Sequence, residues 1–209
     1  MIFDIGANIG RWAQANRNST DKIISVEASP STYQQLLQNC GADPKIVCVN
    51  YAACDNSGQD ITFYHCTSAN TISTLNKDWL ASPISRFYNE PYTAITCKTI
   101  TIDHLIQTYG IPDLIKVDVE GGEYECIKSL TQKVSLLCFE WASETNDVTF
   151  KTLDHLLSLG FTEFHLQYMD NYTFRPTTYT NCETVREQLR NTTPKNEWGM
   201  VWCRPPPSL

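Results

Sequence analysis

The first residues whose types and spacing could do chemistry lie at the start of the chain, where Asp4 precedes the glycines Gly6 and Gly10. The segment Ile2–Ile5, apolar except for Asp4, predicts a short buried strand, and a helical pattern follows the second glycine. A glycine here lets the chain turn sharply and lets backbone approach a ligand, and a second one permits close packing of the helix on the strand. The pattern therefore predicts a ligand-binding turn.

The acid in front of this turn distinguishes it from a dinucleotide-binding turn. Dinucleotide sites usually carry G-x-G-x-x-G and hold a pyrophosphate at the helix N-terminus. Here the spacing is D-x-G-x-x-x-G, and Asp4 could face the ammonium group of an amino-acid ligand. Glu27 ends the next predicted strand, Lys22–Glu27, where an acid binds ribose hydroxyls. The two acids favour a ligand with a ribose and a zwitterionic amino-acid group over a pyrophosphate.

A second group of candidate residues is acidic. Lys116, Asp118 and Glu120 alternate along and just beyond the predicted strand Leu114–Val119, and Glu140 ends the following strand. Alternate residues of a regular strand point to the same side, and ligands of α/β sheets bind beyond the carboxyl ends of strands. These acids are predicted to be catalytic, with one of them removing a proton from a hydroxyl.

Two alternatives remain open for the same acids. Asp118 could only orient the ligand while Glu120 only caps the following helix. The carboxylates of Asp118, Glu120 and Glu140 could instead hold a divalent metal, because they are hard oxygen ligands. We assign no metal site from the sequence.

The elements that must position these residues alternate as strands and helices, which is typical of βαβ units and a parallel sheet. The predicted strands are Ile2–Ile5, Lys22–Glu27, Ile46–Asn50, Ile61–His65, Ala94–Thr99, Leu114–Val119, Leu136–Glu140, Glu163–Tyr168 and Gly199–Arg204. The predicted helices run to about Arg17, from Ser29-Pro30 to about Asn39, over Ile102–Tyr109, from Gly121-Gly122 onward, over Val148–Leu159 and over Thr184–Arg190.

Residues from about 61 to 99 interrupt this rhythm. They are predicted to form an antiparallel pair of strands separated by a long irregular stretch, which in a compact domain is usually a lid or binding loop. Its aromatic residues could stack on a sugar, although scattered aromatic residues are more often part of a core. These residues are Trp79, Phe87, Tyr88 and Tyr92, with His65 and His104 nearby. Trp141, directly after Glu140, is predicted to line the pocket for the molecule whose hydroxyl loses its proton.

Length and composition limit the classes of protein to which the chain can belong. The chain of 209 residues is 42% hydrophobic and 19% charged, as expected for a single globular domain. Its net charge is −7 and its 16 basic residues are scattered, which disfavours nucleic acid as a partner. No apolar run is long enough to span a membrane. The nine cysteines show no C-x-x-C spacing, so we expect reduced thiols and a cytoplasmic location.

At these motifs the chain resembles the FkbM-type methyltransferases, from its first strand almost to its last. The matching stretches are IFDIGANIG, ISVEASP, NYAACDNSG, TIDHL, DLIKVDVEGGEYE and LLCFE. The resemblance implies an α/β, Rossmann-like class I methyltransferase fold with a seven-stranded, mostly parallel sheet of strand order 3-2-1-4-5-7-6 and an antiparallel seventh strand. The chain departs from the family where a leading helix is expected, and Gly122 replaces a common alanine.

The resemblance also implies a cofactor and a reaction. S-adenosylmethionine would be the methyl donor, S-adenosylhomocysteine the product, and a hydroxyl of a sugar or other small molecule the acceptor. The residues expected to bind the cofactor are Asp4, Gly6, Ala7, Asn8, Gly10, Glu27, Ala28, Ser29, Ala52, Ala53 and Asp118. The expected catalytic residues are Asp118, Glu120 and Glu140.

Other functions remain open at this point. The acceptor could be a polyketide, lipid or amine, or the domain could bind S-adenosylmethionine without catalysis. The glycine spacing disfavours an NAD-dependent oxidoreductase. The first strand begins at residue 2, so we expect residues 1–209 to form one domain of a longer polypeptide, with its other domains as partners. Such a domain would be similar to those in glycan-assembly proteins of large algal viruses, and would then act in the host cytoplasm.

Overall fold

The computed structural model describes residues 1–66, 72–195 and 197–207. The strands in chain order are β1 (Ile2–Ile5), β2 (Ile23–Glu27), β3 (Ile46–Asn50), β4 (Ala52–Ala53), β5 (Asp60–His65), β6 (Thr93–Ile100), β7 (Leu114–Val117), β8 (Leu136–Ala142), β9 (Glu163–Tyr168) and β10 (Trp198–Arg204). The α-helices are α1 (Arg11–Asn16), α2 (Pro30–Cys40), α3 (Lys77–Ala81), α4 (Ile102–Tyr109), α5 (Glu123–Ile127), α6 (Asn146–Ser158) and α7 (Cys182–Arg190).

A seven-stranded sheet in the order β3-β2-β1-β7-β8-β10-β9 forms the centre of the fold. The first five of these strands pair in parallel, whereas β10 lies between β8 and β9 and is antiparallel to both. Numbered by their place along the chain within this sheet, the strands follow the order 3-2-1-4-5-7-6, so the predicted fold is confirmed. Within the described ranges, every helix is too short or too polar to cross a membrane.

The central strands are buried on both faces because helices cover the sheet on each side. All four residues of β1 and all four of β7 are buried. Alternate residues enter different cores: Phe3 and Ile5 join the larger apolar cluster, whereas Ile2 and Leu114 join the smaller one on the opposite face. Polar groups on these strands therefore need partners, and Asp4 on β1 forms an ion pair with Lys116 on β7.

The largest departure from the predicted strands occurs at the end of β7. The strand ends at Val117, two residues before the predicted end, and the backbone then becomes left-handed at Glu120 and Gly121, with φ of 55° and 84°. The carboxylate of Glu123 accepts hydrogen bonds from the backbone N–H groups of Val119 and Gly121, at 3.0 and 3.2 Å. The prediction of regular strand alternation is therefore wrong beyond Val117, and a loop fixed by Glu123 presents the acids.

The interruption between β3 and α4 contains the predicted antiparallel pair, formed by β5 and β6. It also contains α3, which the sequence pattern did not predict. Asn76 caps α3 by accepting a hydrogen bond from the N–H group of Trp79 at 3.2 Å. Trp79 is buried and packs edge-on against Phe87, with ring centroids 5.0 Å apart. This segment therefore has a small core of its own, and Trp79 belongs to it.

The turn after β1 needs glycine at both predicted positions. Gly6 and Gly10 have φ of 75° and 89°, in the left-handed region that side chains disfavour. A Cβ on Gly6 would lie 1.7 Å from the carbonyl oxygen of Asp118, and one on Gly10 would lie 2.3 Å from Sγ of Cys40. The first glycine thus lets the turn approach the end of β7, and the second lets it approach α2.

We predict that Gly6→Ala lowers the free energy of unfolding by at least roughly 3 kcal/mol, because backbone must move as well as adopt an unfavourable φ. Gly58→Ala is the matched control, since Gly58 has φ of 77° and no atom within 4 Å of its added Cβ. The control should lose only about 1 kcal/mol. Urea unfolding measures both values, and equal losses would contradict the close approach of Gly6 to β7.

Candidate active site

A buried lysine connects the elements that form the site. The Nζ atom of Lys116 lies 3.2 Å from Oδ1 of Asp4 and 3.3 Å from Oδ2 of Asp118, and it donates a hydrogen bond to the carbonyl oxygen of Gly6 at 3.0 Å. Its side chain is 4% exposed. Burial opposes the charged form, but the carboxylates of Asp118 and Asp4 outweigh it and raise the pKa of Lys116. One ammonium group thus holds β1, the turn and the end of β7 together.

Asp4 has a different position from the predicted one. It is fully buried, its carboxylate faces Lys116, and it is not among the described residues that line the adjacent cleft. Burial raises the pKa of the Asp4 carboxyl, and Lys116 opposes that rise. This placement favours a role in holding Lys116 over direct contact with a ligand ammonium group.

A cleft with an empty volume of about 1080 Å³, including its open mouth, lies over the turn at the carboxyl ends of the central strands. The predicted cofactor-binding and catalytic residues that line it are Gly6, Ala7, Asn8, Glu27, Ala28, Ala52, Ala53, Asp118 and Glu120. The predicted residues outside the described lining are Asp4, Gly10, Ser29 and Glu140. Gly10 allows the left-handed turn before α1. Ser29 is the N-cap of α2, and its side chain accepts a hydrogen bond from the N–H group of Thr32.

The N–H groups of the turn already have acceptors within the protein. The bonds are Gly6 N and Ala7 N to the carbonyl oxygen of Val26, Asn8 N to Oε2 of Glu27, Ile9 N to Oδ1 of Asn8, and Gly10 N to the carbonyl oxygen of Ala7. A pyrophosphate site needs free N–H groups at this position. The geometry of residues 6–10 therefore agrees with the predicted preference against a dinucleotide.

Glu27 lies at the end of β2 and is held from two sides. Its Oε2 atom accepts the N–H group of Asn8 at 3.0 Å, and its Oε1 atom accepts that of Ser29 at 2.9 Å. The side-chain amide of Asn50 donates to the Glu27 carbonyl oxygen at 2.7 Å. Burial raises the pKa of Glu27 to about 7, and the two backbone hydrogen bonds oppose that rise. Each carboxylate oxygen has a second lone pair, so Glu27 can still accept two ligand hydroxyls.

The predicted acids come together at the edge of the cleft. Asp118, Glu120 and Glu140 each place a carboxylate oxygen within 4.8 Å of the other two. Burial raises the pKa of Glu120, and the nearby charges of Asp118 and Glu123 raise it further. Burial also raises the pKa of Glu140, with Glu120 adding to the rise. Carboxylates with raised pKa values are suited to accepting protons near neutral pH.

Sequence reasoning missed the cation that faces these acids. Arg86 lies 3.6 Å from Oε1 of Glu140 and 3.2 Å from Oε1 of Glu144. Its guanidinium packs over the rings of Phe87 and Trp198, with 5.1 and 5.5 Å to the centroids. Arg86 belongs to the interruption between β3 and α4 and matches no motif, so only the folded structure brings it to the site.

The prediction for Trp141 was wrong. Trp141 is 1% exposed, and its indole N–H group donates to the carbonyl oxygen of Gln167 at 3.1 Å, so it lies in the core. Tyr88 and Tyr92 are more exposed, at 46% and 40%.

The sequence analysis did not single out several residues that line the cleft. They include Tyr51, Phe63, Ser73, Leu75, Asp170 and Tyr172. Tyr51 directly follows β3, so the strand-end rule could have found it.

Comparison with known proteins identifies a matching family. The family described as "Methyltransferase FkbM domain" matches residues 4–176. The hexuronic acid methyltransferase AglP of Haloferax volcanii is 27% identical over 164 residues, which cover 76% of this chain and 61% of AglP. This chain thus spans less than two thirds of the length of that relative.

Two solved structures resemble the chain at 11% identity and a TM-score of 0.49. One is a precorrin-6y C5,15-methyltransferase from Geobacter metallireducens, with 98% of this chain and 79% of that chain covered. The other is the fibrillarin pre-rRNA processing protein of Methanococcus jannaschii, with 97% and 65% covered. The family match, which spans most of the chain, decides the assignment: this protein belongs to the FkbM methyltransferase family, and S-adenosylmethionine is its cofactor.

Proposed function

We propose that the chain transfers a methyl group from S-adenosylmethionine to a hydroxyl of a sugar or glycan. The observation that carries this proposal is the cluster of Asp118, Glu120 and Glu140 beside the cleft over the glycine turn. The name of AglP, a hexuronic acid methyltransferase, supports a sugar acceptor.

The lining of the cleft offers polar groups that would bind both ends of the donor. Glu27 would accept hydrogen bonds from the ribose hydroxyls, since both of its oxygens keep a free lone pair. Asp118 and Asp170, which line the cleft, would face the ammonium group of the amino-acid end, and Arg11 would face its carboxylate. Ala53 offers an apolar surface to the adenine ring.

S-adenosylmethionine supplies a methyl carbon made electrophilic by its sulfonium sulfur. Protonated hydroxyls are poor nucleophiles, so the acceptor must lose its proton as the new C–O bond forms. Glu120 lines the cleft, and its raised pKa suits it to take that proton. Asp118 is held by Lys116 and would orient the donor.

Residues 72–86 border the acids and would form the acceptor mouth. The Thr74 hydroxyl donates to the carbonyl oxygen of Glu120, and the Asn76 amide donates to that of Gly121 at 3.3 Å. Arg86 reaches the same cluster from this segment. Polar groups and exposed tyrosines suit a neutral polar acceptor, whereas an apolar acceptor would need a continuous apolar wall.

The acceptor class is tested by a methylation assay with free sugars, short glycans and hydrophobic alcohols side by side, read by mass spectrometry. We expect methylated sugar or glycan only, because the groups at the mouth are polar. Reactions without donor are the control. Methylation confined to hydrophobic alcohols would overturn the sugar acceptor and leave the methyltransferase assignment intact.

The role of Glu27 predicts a pH-dependent affinity for S-adenosylhomocysteine. The ionised carboxylate accepts both ribose hydroxyls, and with a pKa of about 7 it becomes mostly protonated as the pH falls below that value. Calorimetry should therefore give a dissociation constant roughly tenfold higher at about pH 6 than at about pH 8, because only the ionised fraction binds. Asp170, whose pKa is raised to about 6 by burial, adds a smaller step at lower pH.

Glu27→Gln isolates this effect. The variant should bind roughly 1–3 kcal/mol more weakly at about pH 8, the usual loss for a hydrogen bond to a charged group, and lose most of the pH dependence. Glu187→Gln, a change at an exposed glutamate on α7, is the control and should match the unaltered protein. An unchanged affinity and pH profile in Glu27→Gln would place the ribose partner elsewhere.

A further inference from the structure

The three carboxylates beside the cleft form a candidate site for a cation as well as for a proton. We propose that Asp118, Glu120 and Glu140 bind one divalent cation of the Mg²⁺ or Mn²⁺ class, which takes the acceptor hydroxyl as a further ligand. The identity of that hydroxyl rests on the proposed function, but the binding of the cation does not.

The spacing and chemistry of the oxygens suit a hard cation. One carboxylate oxygen from each residue lies within 4.8 Å of the other two. Two oxygens on opposite sides of one Mg²⁺ are about 4.2 Å apart, twice the usual metal–oxygen distance, so small side-chain rotations would close the site. The set contains only oxygen, which favours Mg²⁺ or Mn²⁺ over the softer transition metals.

One buried carboxylate oxygen of the cluster lacks a hydrogen-bond donor among the described residues, which is a second and independent sign of a missing ligand. The Oε2 atom of Glu120 is buried and has no hydrogen-bond partner among the described residues. Glu140 is 8% exposed, and its nearest cation, Arg86, stands at 3.6 Å, beyond hydrogen-bond distance. A buried carboxylate without donors is costly, and a bound cation would satisfy it.

The charges around the cluster are also unbalanced. Lys116 is shared between Asp118 and the fully buried Asp4, and Arg86 is shared between Glu140 and Glu144. When all of these groups are ionised, two cationic side chains serve the four carboxylates, and Glu120 is a fifth. A divalent cation between Asp118, Glu120 and Glu140 would supply the missing positive charge.

A cation in this position would assist the reaction without replacing the base. It polarises the bound hydroxyl and lowers the pKa of that group, so the proton leaves more readily for a carboxylate oxygen of the cluster. The hydroxyl oxygen then forms the new C–O bond as the C–S bond of the donor breaks. Positive charge leaves sulfur, and the released proton stays on the carboxylate until solvent removes it.

The test is a titration of the whole chain with Mn²⁺, followed by electron paramagnetic resonance. We expect one Mn²⁺ per chain, and Glu140→Gln and Glu120→Gln should each raise its dissociation constant at least about tenfold, because a charged ligand is lost. Asp170→Asn is the matched control: it removes one carboxylate from the same cleft but not from the cluster, and should change the constant at most about threefold. Thermal melting shows whether each variant is folded.

Absence of bound Mn²⁺, or equal affinity in the Glu140→Gln and unaltered proteins, would overturn the site. If the variants fail to fold, crystals of the unaltered chain soaked in Mn²⁺ decide by anomalous density, either between the three carboxylates or elsewhere. If the protein shows no affinity for Mn²⁺ and still transfers methyl groups fully after treatment with a chelator, the cation site is refuted and the proposed function stands. Mn²⁺ bound at the cluster with no methylation of any acceptor would refute the proposed function instead.

Discussion

The site depends on one buried ammonium group. Asp4 and Lys116 are register partners on the paired strands β1 and β7, so their side chains meet on the same face of the sheet. Lys116 then reaches the carbonyl oxygen of Gly6 and the carboxylate of Asp118, which join the turn to the loop after β7. Removing one partner of such a buried pair typically costs about 3–5 kcal/mol, because the other charge is left uncompensated. Lys116 therefore links the turn beside the donor cleft to the loop that presents the acids.

Two further features, one of the backbone and one of a side chain, fix the shape of the site. Glycine at position 6 lets the turn lie against the carbonyl oxygen of Asp118, while internal hydrogen bonds use the N–H groups that would otherwise attract phosphate. On the other side, Glu123 shapes the loop that presents Glu120. The segment between β3 and α4 closes the acid cluster with Arg86. The turn thus disfavours a pyrophosphate, and the inserted segment places a cation beside the acids.

Local sequence patterns predicted most of the sheet, because buried parallel strands and helix starts leave short-range signals. Glu27 could be placed for the same reason: it ends a strand, and strand ends meet at one edge. What failed depended on contacts between distant residues. Trp141 looked available because it follows Glu140, but β10 covers that strand and buries the ring. Arg86 belongs to no motif. The backbone after β7 is held by the side chain of Glu123, and hydrophobic periodicity does not predict such a contact. The ion pair of Asp4 with Lys116 joins two strands that are far apart in the chain, so no local pattern predicts it.

The most direct test of the account is a thermal melt of the chain with S-adenosylhomocysteine and, separately, with NAD. A ligand that binds only the folded state raises the melting temperature by mass action, with about 2.7 kcal/mol of stabilisation at a hundred times its dissociation constant. We expect a clear rise with S-adenosylhomocysteine and none with NAD, because the N–H groups of residues 6–10 already have acceptors within the protein. Stabilisation by NAD alone would contradict it.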